Sequence, residues 1–323
     1  MKNILPSRED LLKGFDKMRL KKISVIIPVK NEEKKINRCL EAIFSQTVKP
    51  HEVIVVDGHS SDKTVENAKK FSLKVFYEIY HTRAGACQIG VENANGEFVA
   101  FTDADCIPQK DWLENLIKEF NPGIAGVGGS IKNIGENLWE KSINLAMETF
   151  LGSANSIQGR FFKDKRYVNS ISGCNSMYRR EDLLKVGGFD INLSTAEDTE
   201  INNKLSTLGK LLYTPHAIIS HNHQRGLKDF GKRMYQYGYG RAKGRLWDLQ
   251  VIPPILVLFL LISLVFTRWL FLSMLVIYAI ILIIMGVKFV MQERNFKYFI
   301  SVPIIYMFEH GLYTIGFWKG LLR

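Results

Sequence analysis

Two uncharged stretches near the C-terminus constrain this chain more than any other feature. Leu249 to Thr267 and Trp269 to Val287 are each 19 residues long and contain no Asp, Glu, Lys or Arg. As a helix, each is long enough to cross a hydrocarbon core about 30 Å thick. Only Thr267-Arg268 joins them, which permits a tight helical hairpin. A third stretch, Tyr298–Trp318, is interrupted by Glu309-His310 and reads either as a third span or as a re-entrant or interfacial helix. An ionisable residue inside a span is a functional candidate by default. Of 43 basic and 32 acidic side chains, all but six and two precede residue 249, so a charged soluble region is followed by a membrane tail. Lys288, Arg294 and Lys297 make the last link basic. The positive-inside tendency then places that link, and the soluble region with it, on the cytoplasmic side of a multi-pass cell-membrane protein.

Upstream of the tail the chain alternates between short apolar runs and helical periodicity. Ile23–Ile27, Val53–Val56, Val75–Tyr77 and Phe98–Thr102 read as strands. Between them, Ile36, Leu40, Ile43 and Phe44 form one face of a helix that Asn31 is placed to cap. A second helix runs from about Asp62, and a third follows Gly85. Such alternation predicts an α/β fold built on an open, mostly parallel sheet, whose ligands bind beyond the carboxyl ends of the strands. Asp57 and the pair Asp103/Asp105 fall at those ends. After Asp105 the pattern loosens through a helix at Trp112–Phe120 and a Gly-rich run near 123–129. An inner strand follows at 172–178, then Glu197-Asp198 and a strand at Leu211–Tyr213.

Composition narrows the function classes. The net charge of +11 concentrates upstream of the first span, at Arg225, Lys228, Lys232, Arg233, Arg241, Lys243 and Arg245. Such a cluster attracts an anionic membrane surface, and equally a lipid phosphate or a diphosphate. No nucleic-acid-binding module is present in the pattern. The four cysteines have no zinc-finger spacing and read as reduced packing residues. Residues 1–22 lack the apolar core of a signal peptide and permit an amphipathic extension.

Each acidic motif has a structural reading beside a functional one. Asp103-Ala104-Asp105 suits a turn, or two ligands for one hard cation. A calcium loop is excluded because Ile107 and Pro108 stand where that loop needs an oxygen ligand and a glycine. Asp57-Gly58 is a common turn pair. Thr195-x-x-Asp198 matches a capping box. His221 and His223, two apart on a strand, share a face and are either structural or metal-directed.

In order along residues 23–245, these pieces resemble glycosyltransferase family 2. The carriers are Ser24–Glu32, Val55-Val56-Asp57-Gly58-x-Ser60-x-Asp62-x-Thr64, the acidic triplet 103–105, Gly173-Cys174-Asn175, Gly187-Gly188-Phe189-Asp190, Glu197-Asp198 and the segment Gln236–Arg241. The resemblance implies a Rossmann-like GT-A domain over 23–225, a basic juxtamembrane segment over 226–248, and a membrane domain of two or three helices over 249–323. It also implies an inverting transferase that uses a nucleotide-diphosphate sugar and a divalent ion, Mg²⁺ or Mn²⁺. Asp57 would recognise the base, with Pro28 and Glu32 near the nucleotide and Arg83 or Arg241 at the diphosphate. Asp103 would lie by the ribose or diphosphate. Asp105 would hold the metal, with Asp103, His221 or His223 as further ligands. Asp198, beside Glu197, would be the general base. The Gln-x-x-Arg-Trp segment of processive polysaccharide synthases is absent, which argues against a polymerising enzyme. The expected acceptor is a hydroxyl on a lipid-linked or membrane-bound glycan. The alternatives are a polyprenyl-phosphate acceptor and a non-catalytic nucleotide-binding membrane scaffold.

Overall fold

The computed structural model describes residues 21–153, 161–193, 195–222 and 226–322. His223, and most of the extension expected within residues 1–22, lie outside the described residues. The chain divides into two compact units. One comprises the residues up to Lys132 together with Phe162–His221, and the other Asn133–Phe161 together with Asn222 onward.

In the first unit the apolar runs form parallel strands. β1 (Ile23–Val29) is buried at every position, as expected for a strand covered on both faces. Each of its Ile and Val side chains contributes roughly 1.5–3 kcal/mol by leaving water. It pairs in parallel with β2 (Glu52–Asp57) and β4 (Phe98–Thr102), while β3 (Lys74–Tyr77) extends β2. The helix Ile36–Phe44 presses Ile36, Cys39, Leu40 and Ile43 into the core, matching the periodicity of the sequence. Its cap differs from expectation. Lys35 occupies the N-cap position, and Asn31 instead sits at φ 55°. Asn31 accepts from the Ser61 N–H at 2.8 Å and donates its own N–H to Ser60 Oγ at 2.8 Å. It therefore fastens the loop after β1 to the loop after β2.

Beyond β4 the sheet becomes antiparallel. β5 (Cys106–Pro108), β6 (Ile124–Ile134), β7 (Arg166–Val168), β8 (Asn175–Arg179) and β9 (Lys210–Asn222) complete the order β3-β2-β1-β4-β8-β6-β9-β5, with β7 also on β9. The Gly-rich run belongs to β6. A Cβ on Gly129 would strike the Ala217 carbonyl, so only glycine admits this approach. Buried Asn175 locks the region. It donates to Ser130 O at 2.8 Å and Ala217 O at 3.0 Å, and accepts from Trp112 Nε1 at 2.8 Å.

The second unit is helical. Leu249–Phe266 and Arg268–Glu293 are long and apolar enough to cross a membrane. Phe266 and Trp269 are each 81% exposed, within an apolar surface far larger than a water-facing helix presents. The helix Tyr298–Leu321, with Pro303 inside it, buries Val302, Ile305, Tyr306 and Phe317 and packs closely on Leu227–Lys243. Glu309 is buried, and its Oε2 has no hydrogen-bond partner among the described residues. His310 lies between Tyr278 Oη and Leu151 O, 3.0 Å from each.

Candidate active site

The carboxyl ends of β1, β2 and β4 carry the first group of sequence-singled residues. Pro28 is in register with Val56. Glu32 donates its backbone N–H to Thr64 Oγ1 at 2.8 Å, and its carboxylate lies 3.2 Å from Lys35 Nζ. Asp57 is almost fully buried. Its oxygens accept from Ser60 Oγ at 2.5 Å and from the Ser60 N–H at 2.9 Å. Asp62 accepts from the Glu33 N–H at 3.1 Å and the Thr64 N–H at 3.0 Å. The spaced Asp57, Ser60, Asp62 and Thr64 thus shape the loops at this end of the sheet.

The acidic triplet follows β4 directly. His221 lies on β9 in register with Cys106 of β5, and this pairing delivers its ring to Asp105, with Nε2 3.0 Å from Oδ1. Burial alone would lower the His221 pKa, but the adjoining Asp105 carboxylate raises it above the ordinary imidazole value. Asp103, Asp105 and His221 each offer one ligand atom, and these atoms all lie within 4.8 Å of one another.

Arg83 opens the helix Arg83–Asn93, which is started by Thr82 Oγ1 accepting from the Gly85 N–H at 2.9 Å. Its guanidinium reaches Asp103 Oδ1 at 2.6 Å with Nη2 and Glu197 with Nη1. Burial would favour the neutral form of Arg83, yet these two carboxylates hold its pKa well above the ordinary value. Burial pushes the Glu197 carboxyl up, and the neighbouring Asp198 acts in the same direction against Arg83.

Glu197 and Asp198 begin the helix Glu197–Leu205, whose N-cap is Ala196 rather than the Thr195 of the capping-box spacing. Ala196 sits there at φ 63° without a side-chain cap. Asp198 accepts from the Gly173 N–H at 3.3 Å and from the Thr199 N–H at 2.7 Å. The Gly173 contact was not legible in sequence, because a backbone donor leaves no residue-type signature. A Cβ at Gly173 would stand 2.9 Å from Arg83 Nη1 and 3.3 Å from Asp198 Cβ, so an added methyl group would crowd both side chains.

Arg83, Asp103, Glu197, Asp198 and Gly173 are therefore joined into one group, which Asp105 and His221 adjoin through Asp103. Asp57 stands two strands away on the same sheet edge, roughly 10 Å at ordinary strand spacing. Arg241 belongs to the second unit, where it pairs with Asp248.

Residues 24–187, half of the chain, match the family model described as Glycosyl transferase family 2. The chain belongs to glycosyltransferase family 2. A similar protein of Methanococcus voltae is a dolichyl N-acetyl-alpha-D-glucosaminyl phosphate 3-beta-D-2,3-diacetamido-2,3-dideoxy-beta-D-glucuronosyltransferase. It is 30% identical over 93% of this chain and 97% of its own length. Glycosyltransferase AglE of Haloferax volcanii is 29% identical, over 71% of this chain and 75% of its own length. Among solved structures, the mannosyltransferase PcManGT of Pyrobaculum calidifontis, in complex with GDP-Man and Mn²⁺, superposes with a TM-score of 0.60 at 17% identity. It covers 96% of this chain and 94% of its own, which supports the GT-A fold. This family 2 member is a nucleotide-sugar-dependent glycosyltransferase, and its two exposed apolar helices fit association with a membrane.

Proposed function

We propose that this chain transfers a sugar, with inversion, from a nucleoside-diphosphate donor to a hydroxyl of a lipid-linked glycan at the cytoplasmic face of a cell membrane. The observation that carries the reading is the convergence of Asp103, Glu197 and Asp198 around Arg83 at the carboxyl edge of the sheet. The acceptor class is supported by the name of the Methanococcus voltae relative, which denotes transfer to a dolichyl-phosphate-linked N-acetylglucosaminyl group. The apolar helices supply the matching location, with the soluble domain over 23–225, a basic segment over 226–248 that favours an anionic surface, and the membrane domain beyond.

Two carboxylates and an imidazole within coordinating reach suit a divalent ion on Asp105, Asp103 and His221. The imidazole favours Mn²⁺ over Mg²⁺. A bound ion would supply positive charge against the departing diphosphate. Arg83 adds charge-assisted hydrogen bonds on the same side and, by holding Asp103 and Glu197 together, fixes the edge of the donor site. Asp57, with Pro28 and Glu32, lines the end of the sheet where the base would sit. Asp198 is oriented by the Gly173 and Thr199 N–H groups to take the proton of an attacking hydroxyl, worth roughly 10²–10⁴-fold in rate.

The test is nucleoside-diphosphate release across a panel of nucleotide sugars with Mn²⁺ or Mg²⁺, offering a polyprenyl-linked sugar or a bare polyprenyl phosphate. Release that requires the polyprenyl-linked sugar is expected. Transfer only to the bare phosphate would contradict the hydroxyl acceptor.

A further inference from the structure

Two thiols stand beside the carboxylate group and are used by nothing described above. Cys106 opens β5 immediately after Asp105, and Cys174 immediately precedes β8; both are free and buried. Cys106, Cys174 and His221 each present one ligand atom, and these lie within 4.8 Å of one another. Cys106 Sγ is 3.9 Å from Asp105 Oδ1, the same oxygen that His221 Nε2 approaches at 3.0 Å. Ser172 Oγ lies 3.3 Å from Cys174 Sγ, an outer contact of the kind that orients a metal ligand.

We propose that Cys106, Cys174, His221 and Asp105 form a second metal site, selective for thiophilic divalent ions of the Zn²⁺ class. Two sulfurs, one imidazole nitrogen and one carboxylate oxygen make a tetrahedral zinc set, with bonds of about 2.0–2.3 Å. Thiolates select such ions over Mg²⁺ and Mn²⁺, which prefer oxygen. Each thiol releases its proton to solvent as the ion binds. Because His221 and Asp105 would serve both sites, the two sites exclude each other. A Zn²⁺ ion on the thiols withdraws both groups from the carboxylate side and so inhibits turnover. The sulfur ligand set stands independently of the sugar-transfer reading, and its spectroscopic test needs no activity.

The probe is Cd²⁺, titrated into the full-length protein in detergent with a phosphine reductant while thiolate-to-metal charge-transfer absorption is followed in the ultraviolet. The band should saturate at one equivalent, yield to Zn²⁺ and resist equal concentrations of Mg²⁺. Cys174→Ser and Cys106→Ser should each weaken Cd²⁺ binding by at least about 10-fold, the scale on which losing even an outer partner is felt. Cys87→Ser, which leaves both thiols in place, should keep the band. In the activity arm, Zn²⁺ should inhibit Mn²⁺-supported transfer in the parent, a chelator should reverse this, and Cys174→Ser should resist it. Absence of the band in the folded parent would overturn the proposal. So would an undiminished band in either thiol variant that folds. If one variant does not fold, the other and the parent titration still decide.

Discussion

Nε2 of His221 lies 3.0 Å from Oδ1 of Asp105, although 116 residues separate them in sequence. The pairing of β5 with β9 creates this contact, so the antiparallel half of the sheet completes a group begun by the parallel half. His221→Ala should raise the Mn²⁺ concentration for half-maximal turnover by roughly 10-fold or more. Metal titrations of the parent and variant check this. Identical metal curves would remove His221 from the ligand set.

Arg83 spans two acids with two nitrogens, a geometry that lysine cannot reproduce. Arg83→Ala should lower kcat/KM by about 100-fold, the order seen when a preorganised donor is removed. Arg83→Lys should recover only part of the loss. Steady-state kinetics on folded protein test both, and full recovery by lysine would show that charge alone matters.

Gly173→Ala places a methyl group 2.9 Å from Arg83 Nη1 and 3.3 Å from Asp198 Cβ. The variant should fold and keep its melting temperature within a few degrees, but lose most of its turnover through a lower kcat. A loss confined to KM would instead point to donor binding.

Glu52 ties three strands together. It accepts from Ser24 Oγ at 2.6 Å, from the Asn95 N–H at 2.5 Å and from Lys74 Nζ at 2.7 Å. Burial alone would raise its pKa, but these donors outweigh burial and bring it from 4.5 to about 2. The folded carboxyl is thus more acidic than the unfolded one. Its contribution to stability is complete above pH 4.5 and is lost as the pH falls toward about 2. Glu52→Gln should melt below the parent at pH 7, with the gap closing through that window. A gap independent of pH would contradict the assignment.

Reciprocal glycines let two helices of the second unit touch. A Cβ on Gly238 would strike the Tyr313 carbonyl, and one on Gly316 the Tyr235 carbonyl. Gly316→Val should therefore lower the thermal midpoint in detergent more than Gly311→Val, where an added Cβ meets nothing within 4 Å. Equal midpoints would show that the helices part without cost.

Much of this was legible because the signals were local. Apolar runs marked β1, β2 and β4, and their ends located Asp57, Asp103 and Asp105. Charge-free length marked the two exposed helices. What escaped depended on long-range pairing or on backbone groups. Arg83 and Glu197 were each singled out, but a guanidinium joining them across 114 residues has no sequence signature. β6 was hidden because glycine contributes no hydrophobic pattern. The Thr195-x-x-Asp198 spacing suggested a cap at Thr195, yet Ala196 holds the N-cap position and Asp198 accepts from the distant Gly173 N–H. Cys106 and Cys174 read as packing residues; the register of β5 with β9 brings Cys106 beside His221, and Cys174 arrives from the start of β8.

The most direct test of the central claim is transfer to a lipid-linked acceptor by Asp198→Asn, measured alongside donor binding by the same preparation. The account predicts near-parental donor affinity with turnover reduced by roughly 10²-fold or more. Transfer at the parental rate would contradict it, placing the base elsewhere or showing an acceptor that needs none.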